Sequence, residues 1–415
     1  MTETAKARYL ILGAGAAGIS AAEKIRERRK EAELTVVSRE NNMPISPVAL
    51  PEYIEGSISK DELFLWDRSY VEENGIELML NSEAIRIDHR DNSVILANGK
   101  SLSFERLLIA TGAKPILTPD LLRKDRVFAL RTLEDAEGII RCAKERVIIY
   151  GAGAIAIKAA VALRRRGVEV IVICRSRVLR RLFDDDLCGE INCQLVANGV
   201  KIVGSCEFNS CSSDKKALVG DEEVSYDCIV AAMGVKPSFP PLNNGAIGLG
   251  RTGGIAVDDC MQTTVPGIYA AGDCVETLDI TTGKRGVMAL WPPAAEEGKV
   301  AAINMIGESA TYAGTLPSNV IEVFGNSFVT MGSLTGYKLN LPGRDGSIRL
   351  TTRGGKIVGC QMVGDVEGAG AFASFIRNQT RVSDLKRLGI LPYGKALQAD
   401  LLLSQIRARK NAASQ

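Results

Sequence analysis

Two glycine-rich turns carry the clearest chemistry in this chain. Gly13-Ala14-Gly15-Ala16-Ala17-Gly18 follows the apolar run Tyr9-Leu10-Ile11-Leu12. Gly151-Ala152-Gly153-Ala154-Ile155-Ala156 follows Val147-Ile148-Ile149-Tyr150. In a turn of this kind the first glycine makes a tight strand-to-helix reversal. The second lets a pyrophosphate approach the backbone, and the third position lets the helix pack closely on the strand. The helix N-terminus adds unpaired N–H groups and a partial positive charge. A lone turn is weak evidence, because glycine-rich turns are common and many bind nothing. Two of them, each between the right flanking elements, point to a nucleotide at each.

The residues that should hold the ribose differ between the two. After the first turn the candidates are Ser38, Arg39 and Glu40, of which only Glu40 is acidic, and it stands slightly late. The alternative is that Glu40 is a solvated loop charge. After the second, Cys174-Arg175-Ser176-Arg177 offers no acid. Arg175 and Arg177 could pair with a 2′-phosphate, which favours NADP(H) over NAD(H). The bland reading makes them surface charges.

The elements that must position these turns repeat. Each apolar strand and turn is followed by helical text, ISAAEKIRERRK or IKAAVALRRRG, and by a second apolar strand, Leu34–Val37 or Val170–Ile173. That is a βαβ unit, duplicated about 138 residues apart. Residues 79–109 look β-rich, with a hairpin signal at Ala97-Asn98-Gly99-Lys100. Thr118 to Asp135 reads as a connection, and Val200 to Val230 is again β-rich. A strand at Gly267–Ala271 ends in Gly272-Asp273. From about residue 316 short strands are followed by helical text, read as a separate C-terminal domain with a frayed tail from Ala408 to Gln415. The expected fold is α/β: two Rossmann-like nucleotide-binding domains plus a small α+β C-terminal domain. The boundaries are 1–117, 118–240, 241–315 and 316–415, the third segment returning to the first domain.

Composition narrows the function. The chain has 415 residues, 46% hydrophobic and 24% charged, as an ordinary globular protein has. A net charge of +2 gives no reason to expect a nucleic-acid partner. His89 is the only histidine, which excludes most histidine dyads, triads and multi-histidine metal sites. No run approaches the roughly 20 apolar residues of a membrane span. The N-terminus lacks a long apolar signal core, and ten cysteines without one read as reduced thiols, so the cytoplasm is the expected compartment. Cys188 and Cys193, and Cys206 and Cys211, could be redox or metal pairs. Neither spacing matches a compact zinc or iron–sulfur site, so inert thiols are expected and no metal.

Further strings carry a resemblance. Ala110-Thr111-Gly112-Ala113-Lys114-Pro115 closes the first block, and Met233-Gly234-Val235-Lys236-Pro237 closes the second. Thr263 is followed by Tyr269-Ala270-Ala271-Gly272-Asp273, and Trp291 by Ala294-Ala295 and Gly298-Lys299-Val300-Ala301-Ala302. This ordered set resembles the FAD-dependent pyridine nucleotide–disulfide oxidoreductase superfamily over about residues 7–312, and more loosely beyond. The resemblance implies FAD on the first unit, with Asp273 on the ribityl chain and the Trp291 helix sealing the flavin. It implies a nicotinamide nucleotide, NAD(P), on the second unit.

Two departures select a branch. Disulfide-reducing members carry a redox cysteine soon after the first βαβ unit, but Met43 to Tyr53, which includes Ser46 and Pro47, has none. Residues 313–415 lack the C-terminal histidine that the glutathione-reductase-like members use. The chain is therefore similar to the rubredoxin- and ferredoxin-reductase branch and to nitrite reductase flavin modules. Its ISPVALPEYIEG stretch resembles the flavoprotein subunit of phenylglyoxylate dehydrogenase. The resemblance implies an iron–sulfur protein or rubredoxin as electron partner, or other subunits of a complex. A self-contained NAD(P)H oxidase or coenzyme A disulfide reductase, and a binding protein with structural flavin, are the alternatives. No catalytic side chain is singled out. The direction of electron flow stays open, as does the oligomer, a homo-oligomer included.

Overall fold

Residues 9–12 are apolar at every position because β1 (Ala5–Leu12) is covered on both faces, as parallel strands are. The structure, a computed structural model, describes residues 5–387 apart from 206–208, 211–214, 221, 242–244 and 343–345. These residues form two compact units. The first comprises residues up to 143, 231–279 and 284–315; the second comprises 144–230, 280–283 and those from 316 onward.

In the first unit β1 runs through the glycine turn into α1 (Ala16–Arg28) and back to β2 (Leu34–Val37). With β3 (Glu77–Met79), β4 (Ala84–Asp88), β5 (Ser93–Leu96) and β6 (Ser101–Ile109) they form a sheet in the order β3-β2-β1-β6-β5-β4. Ile268–Ala270 adds parallel to the end of β6. The register places Leu12 beside Val37 and Ile109, and Ala270 beside Ile109. Three chain segments therefore leave the same sheet edge together: Gly13 after β1, Ala110 after β6 and Ala271 after Ile268–Ala270. The carboxyl edge of a parallel sheet is where α/β proteins bind ligands. The hairpin at residues 97–100 forms between β5 and β6, with the Gly99 N–H bonding the Leu96 carbonyl at 2.9 Å.

The stretch 118–135 is more than a bare connection. It holds the one-turn helix Pro119–Leu122, and the helix Leu133–Cys142 begins inside it. Thr132 and Asp135 start that second helix as a reciprocal capping box.

In the second unit Val200–Val203, Glu169–Ile173 and Arg146–Tyr150 pair in parallel, with Cys228–Ala231 next in order. Five strands between Ser318 and Gly364 form an antiparallel sheet, against which the helix Ala369–Arg377 packs through Phe372 and Ile376. This sheet belongs to the same unit as residues 144–230. Gln361, which is buried, exchanges hydrogen bonds with Asp184: Nε2 to the carboxylate at 2.8 Å, and the Asp184 N–H back to Oε1 at 2.9 Å. Phe183 meets Phe328 edge to face at 6.1 Å. Helical text continues as Val382–Arg387. The tail expected to fray lies outside the described residues, as do Cys206 and Cys211.

Candidate cofactor sites

The first turn is built so that glycine is required where space is shortest. Gly13 takes φ +109°, and a Cβ there would stand 2.2 Å from the Ala110 carbonyl oxygen. On Gly18 it would stand 1.9 Å from the Gly13 carbonyl oxygen, so α1 packs against the turn only because nothing projects. Gly15 is different: a Cβ there would meet nothing within 4 Å. That open space at the N-cap of α1, whose first turn has no acidic residue, suits a phosphate.

The other segments converge on α1. Thr111 lies against Gly13, and its hydroxyl donates to the Ser238 carbonyl at 2.6 Å. Ala113–Pro115 then pairs antiparallel with Val235–Pro237. Gly272 packs on Ala17 and Ala294, and Gly298 of the helix Trp291–Met305 packs on the Ala17 carbonyl. Trp291 opens that helix half-buried. Ser38 is buried at the end of β2, and its Oγ accepts the Glu40 N–H at 3.2 Å. Ser46 stands at the N-cap of the short turn Pro47–Ala49, and its N–H bonds the Leu63 carbonyl at 2.9 Å. Gly234 lies in the first unit, where its carbonyl accepts the Ile116 N–H.

Three carboxyls sit at this edge, each pushed above the usual carboxylate range by burial. Glu40 is opposed chiefly by Arg39 and a hydrogen bond from Asn42. Asp273 is opposed by Arg131, whose guanidinium is 3.3 Å away. The charge of Arg131 also lowers Glu40, less than Arg39 does. Glu297 is pushed up to about 8, although the Gly272 N–H and the Thr277 hydroxyl bond it. Sequence reasoning missed Arg131 and Glu297. Arg131 has no local motif. Glu297 had one available signal: an acid among the small residues Ala294, Gly298 and Ala301 at helical spacing.

The second turn repeats the first bond for bond. Gly151 N–H bonds the Ile173 carbonyl at 2.9 Å, as Gly13 N–H bonds Val37 at 2.8 Å. A Cβ on Gly153 again meets nothing within 4 Å, while Ala156 is fully buried in place of a third glycine. Ala154 begins the helix Ala154–Arg165, and Ile155 is exposed beside it. The segment after Cys174 folds back over the turn, with the Leu179 N–H on the Ala152 carbonyl at 2.8 Å. Arg175 is exposed there and forms no ion pair among the described residues. Arg177, also exposed, has its guanidinium on Asp185 of the next helix.

Cys188 is buried and Cys193 exposed on one helix, and both are free thiols. Cys274 directly follows Asp273, yet it is wholly buried. Its Sγ is 3.3 Å from the carbonyls of Ile109 and Ala271, and burial pushes the thiol up to about 12. No helix among the described residues is long and apolar enough to cross a membrane.

A family model described as pyridine nucleotide-disulphide oxidoreductase matches residues 7–298. NADH oxidase of Methanocaldococcus jannaschii is 31% identical to the chain over 396 residues, 86% of this chain and 87% of that protein. Subunit epsilon of the NADH-dependent phenylglyoxylate dehydrogenase of Aromatoleum evansii is 32% identical, over 79% of this chain and 80% of its own. The solved NAD-dependent persulfide reductase of A. fulgidus superposes with a TM-score of 0.86 at 27% identity, over 98% of this chain and 83% of its own. An engineered water-forming NADPH oxidase bound to NADPH superposes with a TM-score of 0.84 at 22% identity, over 98% and 100%, a likeness of fold alone. The two glycine turns thus sit in a family that pairs FAD with a pyridine nucleotide, and the chain belongs to that family, the pyridine nucleotide-disulphide oxidoreductases, as an NAD(P)H oxidoreductase.

Proposed function

We propose that this enzyme moves electrons between NADP(H) and a one-electron carrier, an iron–sulfur protein or rubredoxin, as the flavoprotein component of a larger system. The observation that carries the reading is that neither the Met43 to Tyr53 stretch nor the Gly272–Asp273 turn offers a usable thiol. Met43 to Tyr53 contains no cysteine, and Cys274, beside Asp273, is sealed. Burial pushes its thiol up to about 12, so it stays protonated near neutral pH. FAD held by these residues would supply two-electron exchange with the nicotinamide and one-electron exchange with the carrier.

The chain's own residues bind and orient. Residues 1–117 and 241–315 hold FAD: the α1 N-terminus with Gly13, Gly15 and Gly18 takes the pyrophosphate, and Glu40 the ribose. Asp273 takes the ribityl hydroxyls, with Arg131 as the neighbouring cation. Residues 118–240 hold the nicotinamide nucleotide on the turn at Gly151–Ala156. Residues 316–415 meet the partner. The relative that is a dehydrogenase subunit supports the placement in a larger assembly.

The nicotinamide preference rests on a residue pattern. The engineered NADPH oxidase derives from a water-forming NADH oxidase of Lactobacillus brevis by five substitutions. Glycine becomes alanine; eighteen residues later aspartate, alanine and methionine become alanine, arginine and serine; five residues further, proline becomes arginine. This chain has Ala156, then Cys174-Arg175-Ser176, then Arg181 at the same spacing. Arg181 is exposed on the segment that covers the turn. Rapid mixing should therefore show flavin reduction by NADPH at least as fast as by NADH. Arg175→Ala with Arg181→Ala should erase any NADPH advantage without loss of FAD. NADH faster by more than about tenfold, or about 1.4 kcal/mol, would overturn this preference.

A second reading has its own support. The relative named NADH oxidase favours a self-contained oxidase, for which oxygen alone would sustain turnover.

A further inference from the structure

Beneath the Gly272–Asp273 turn lies a carboxyl that the proposed function does not use. Glu297 is 2% exposed. Its Oε2 accepts the Gly272 N–H at 2.8 Å, and its Oε1 is 3.1 Å from the Thr277 hydroxyl. The chain of hydroxyls continues from Thr277 to Thr315 at 3.2 Å and from Thr315 to Tyr312 at 2.8 Å, all buried. No cation pairs with Glu297 among the described residues. The nearby cation, Arg131, is engaged by Asp273.

Two neighbouring acids oppose the ionisation of Glu297. Asp273 faces it from the turn and Glu296 from its own helix, and burial outweighs both. The neutral Cys274 thiol adjoins it, and Tyr312 closes the far end of the hydroxyl chain. The next residue of its helix, Gly298, packs on Ala17 in the first turn of α1, which carries no acidic residue. An unpaired buried carboxylate neutralises rather than persists. The neutral acid can donate Oε1–H to Thr277, which passes its own hydrogen on to Thr315.

We propose that Glu297 binds a proton in linkage with the cofactor: the anionic pyrophosphate at the adjoining turn holds Glu297 in its acid form, so FAD binding in alkaline solution takes up a proton there. The inference rests on FAD binding to the first unit. The proton comes from solvent and adds to a carboxylate oxygen, and no bond to the cofactor forms. Affinity for FAD then falls with rising pH, by at most about tenfold per unit, because one proton is involved.

The test is calorimetric titration of FAD into protein stripped of cofactor, at pH 8.5, in two buffers of different ionisation enthalpy. Wild type should take up a large fraction of a proton, and Glu297→Gln measurably less. The affinity profile of Glu297→Gln should be flat above pH 8. Equal uptake by both proteins overturns the inference. Failure of either protein to bind FAD at all overturns the cofactor assignment instead. Should Glu297→Gln fold poorly, glutamate δ-carbon resonances serve, in a Glu40→Gln background that removes the other raised glutamate. One carboxyl should titrate above neutrality without FAD and resist titration with it. A set that all titrate in the ordinary range overturns the inference.

Discussion

Replacing Glu297 by glutamine should stabilise the first unit, and increasingly so as pH rises. Burial holds the folded carboxyl at about 8, against 4.5 ordinarily. Between those values the unfolded chain releases a proton that the folded chain keeps, so wild-type stability falls with pH. Above pH 8 both states are ionised and the loss levels off. About three and a half units at 1.36 kcal/mol each set a ceiling of roughly 5 kcal/mol. Glutamine still accepts the Gly272 N–H and can donate to Thr277. It leaves one amide hydrogen unpaired, at a cost of roughly 1–3 kcal/mol. The variant should thus be level with or slightly below wild type at pH 5, and about 2–4 kcal/mol above it at pH 8.5. The chain's two tryptophans, Trp66 and Trp291, lie in the same unit as Glu297, so tryptophan fluorescence during urea unfolding reports that unit. FAD is removed beforehand, because a ligand that binds only the folded state would mask the difference. A stability gap that does not change between pH 5 and 8.5 would refute the reasoning.

Asp273→Ala should loosen FAD by about 10- to 100-fold, since hydrogen bonds to a charged acceptor contribute roughly 1.5–3 kcal/mol; unchanged flavin retention on gel filtration would count against Asp273 as a cofactor ligand. Alkylation under native conditions should modify exposed Cys193 and spare buried Cys274 and Cys360, leaving nicotinamide-driven flavin reduction intact. A flavin that stops accepting electrons while fold and FAD content persist would sink the thiol-free reading.

Both strand–turn–helix units can be read directly from sequence, because all their determinants are local. The apolar run, the glycines and the helical text are contiguous, and the same N–H to carbonyl bond forms at Gly13 and at Gly151. What escapes the sequence is non-local. Arg131 reaches Asp273 across 142 residues of chain, with nothing local to mark it. Glu297 is an acid, a residue type that by composition belongs at the surface, yet it is buried on a helix whose next residue, Gly298, packs on Ala17. Arg177 meets Asp185 in the first turn of the next helix, a pairing with no local motif to announce it. The strands after residue 316 are legible one by one. Their grouping with residues 144–230 depends on pairs such as Asp184 and Gln361, 177 residues apart.

The central claim is that electrons leave this enzyme singly, through flavin, without a thiol. The direct measurement is reoxidation of the FAD-loaded protein after anaerobic reduction by NADPH, comparing rubredoxin or a ferredoxin with oxygen and with coenzyme A disulfide. Fast reoxidation by the one-electron carrier, and slow reoxidation by the other two, is the predicted result. Sustained turnover with oxygen alone, or with coenzyme A disulfide, would contradict it.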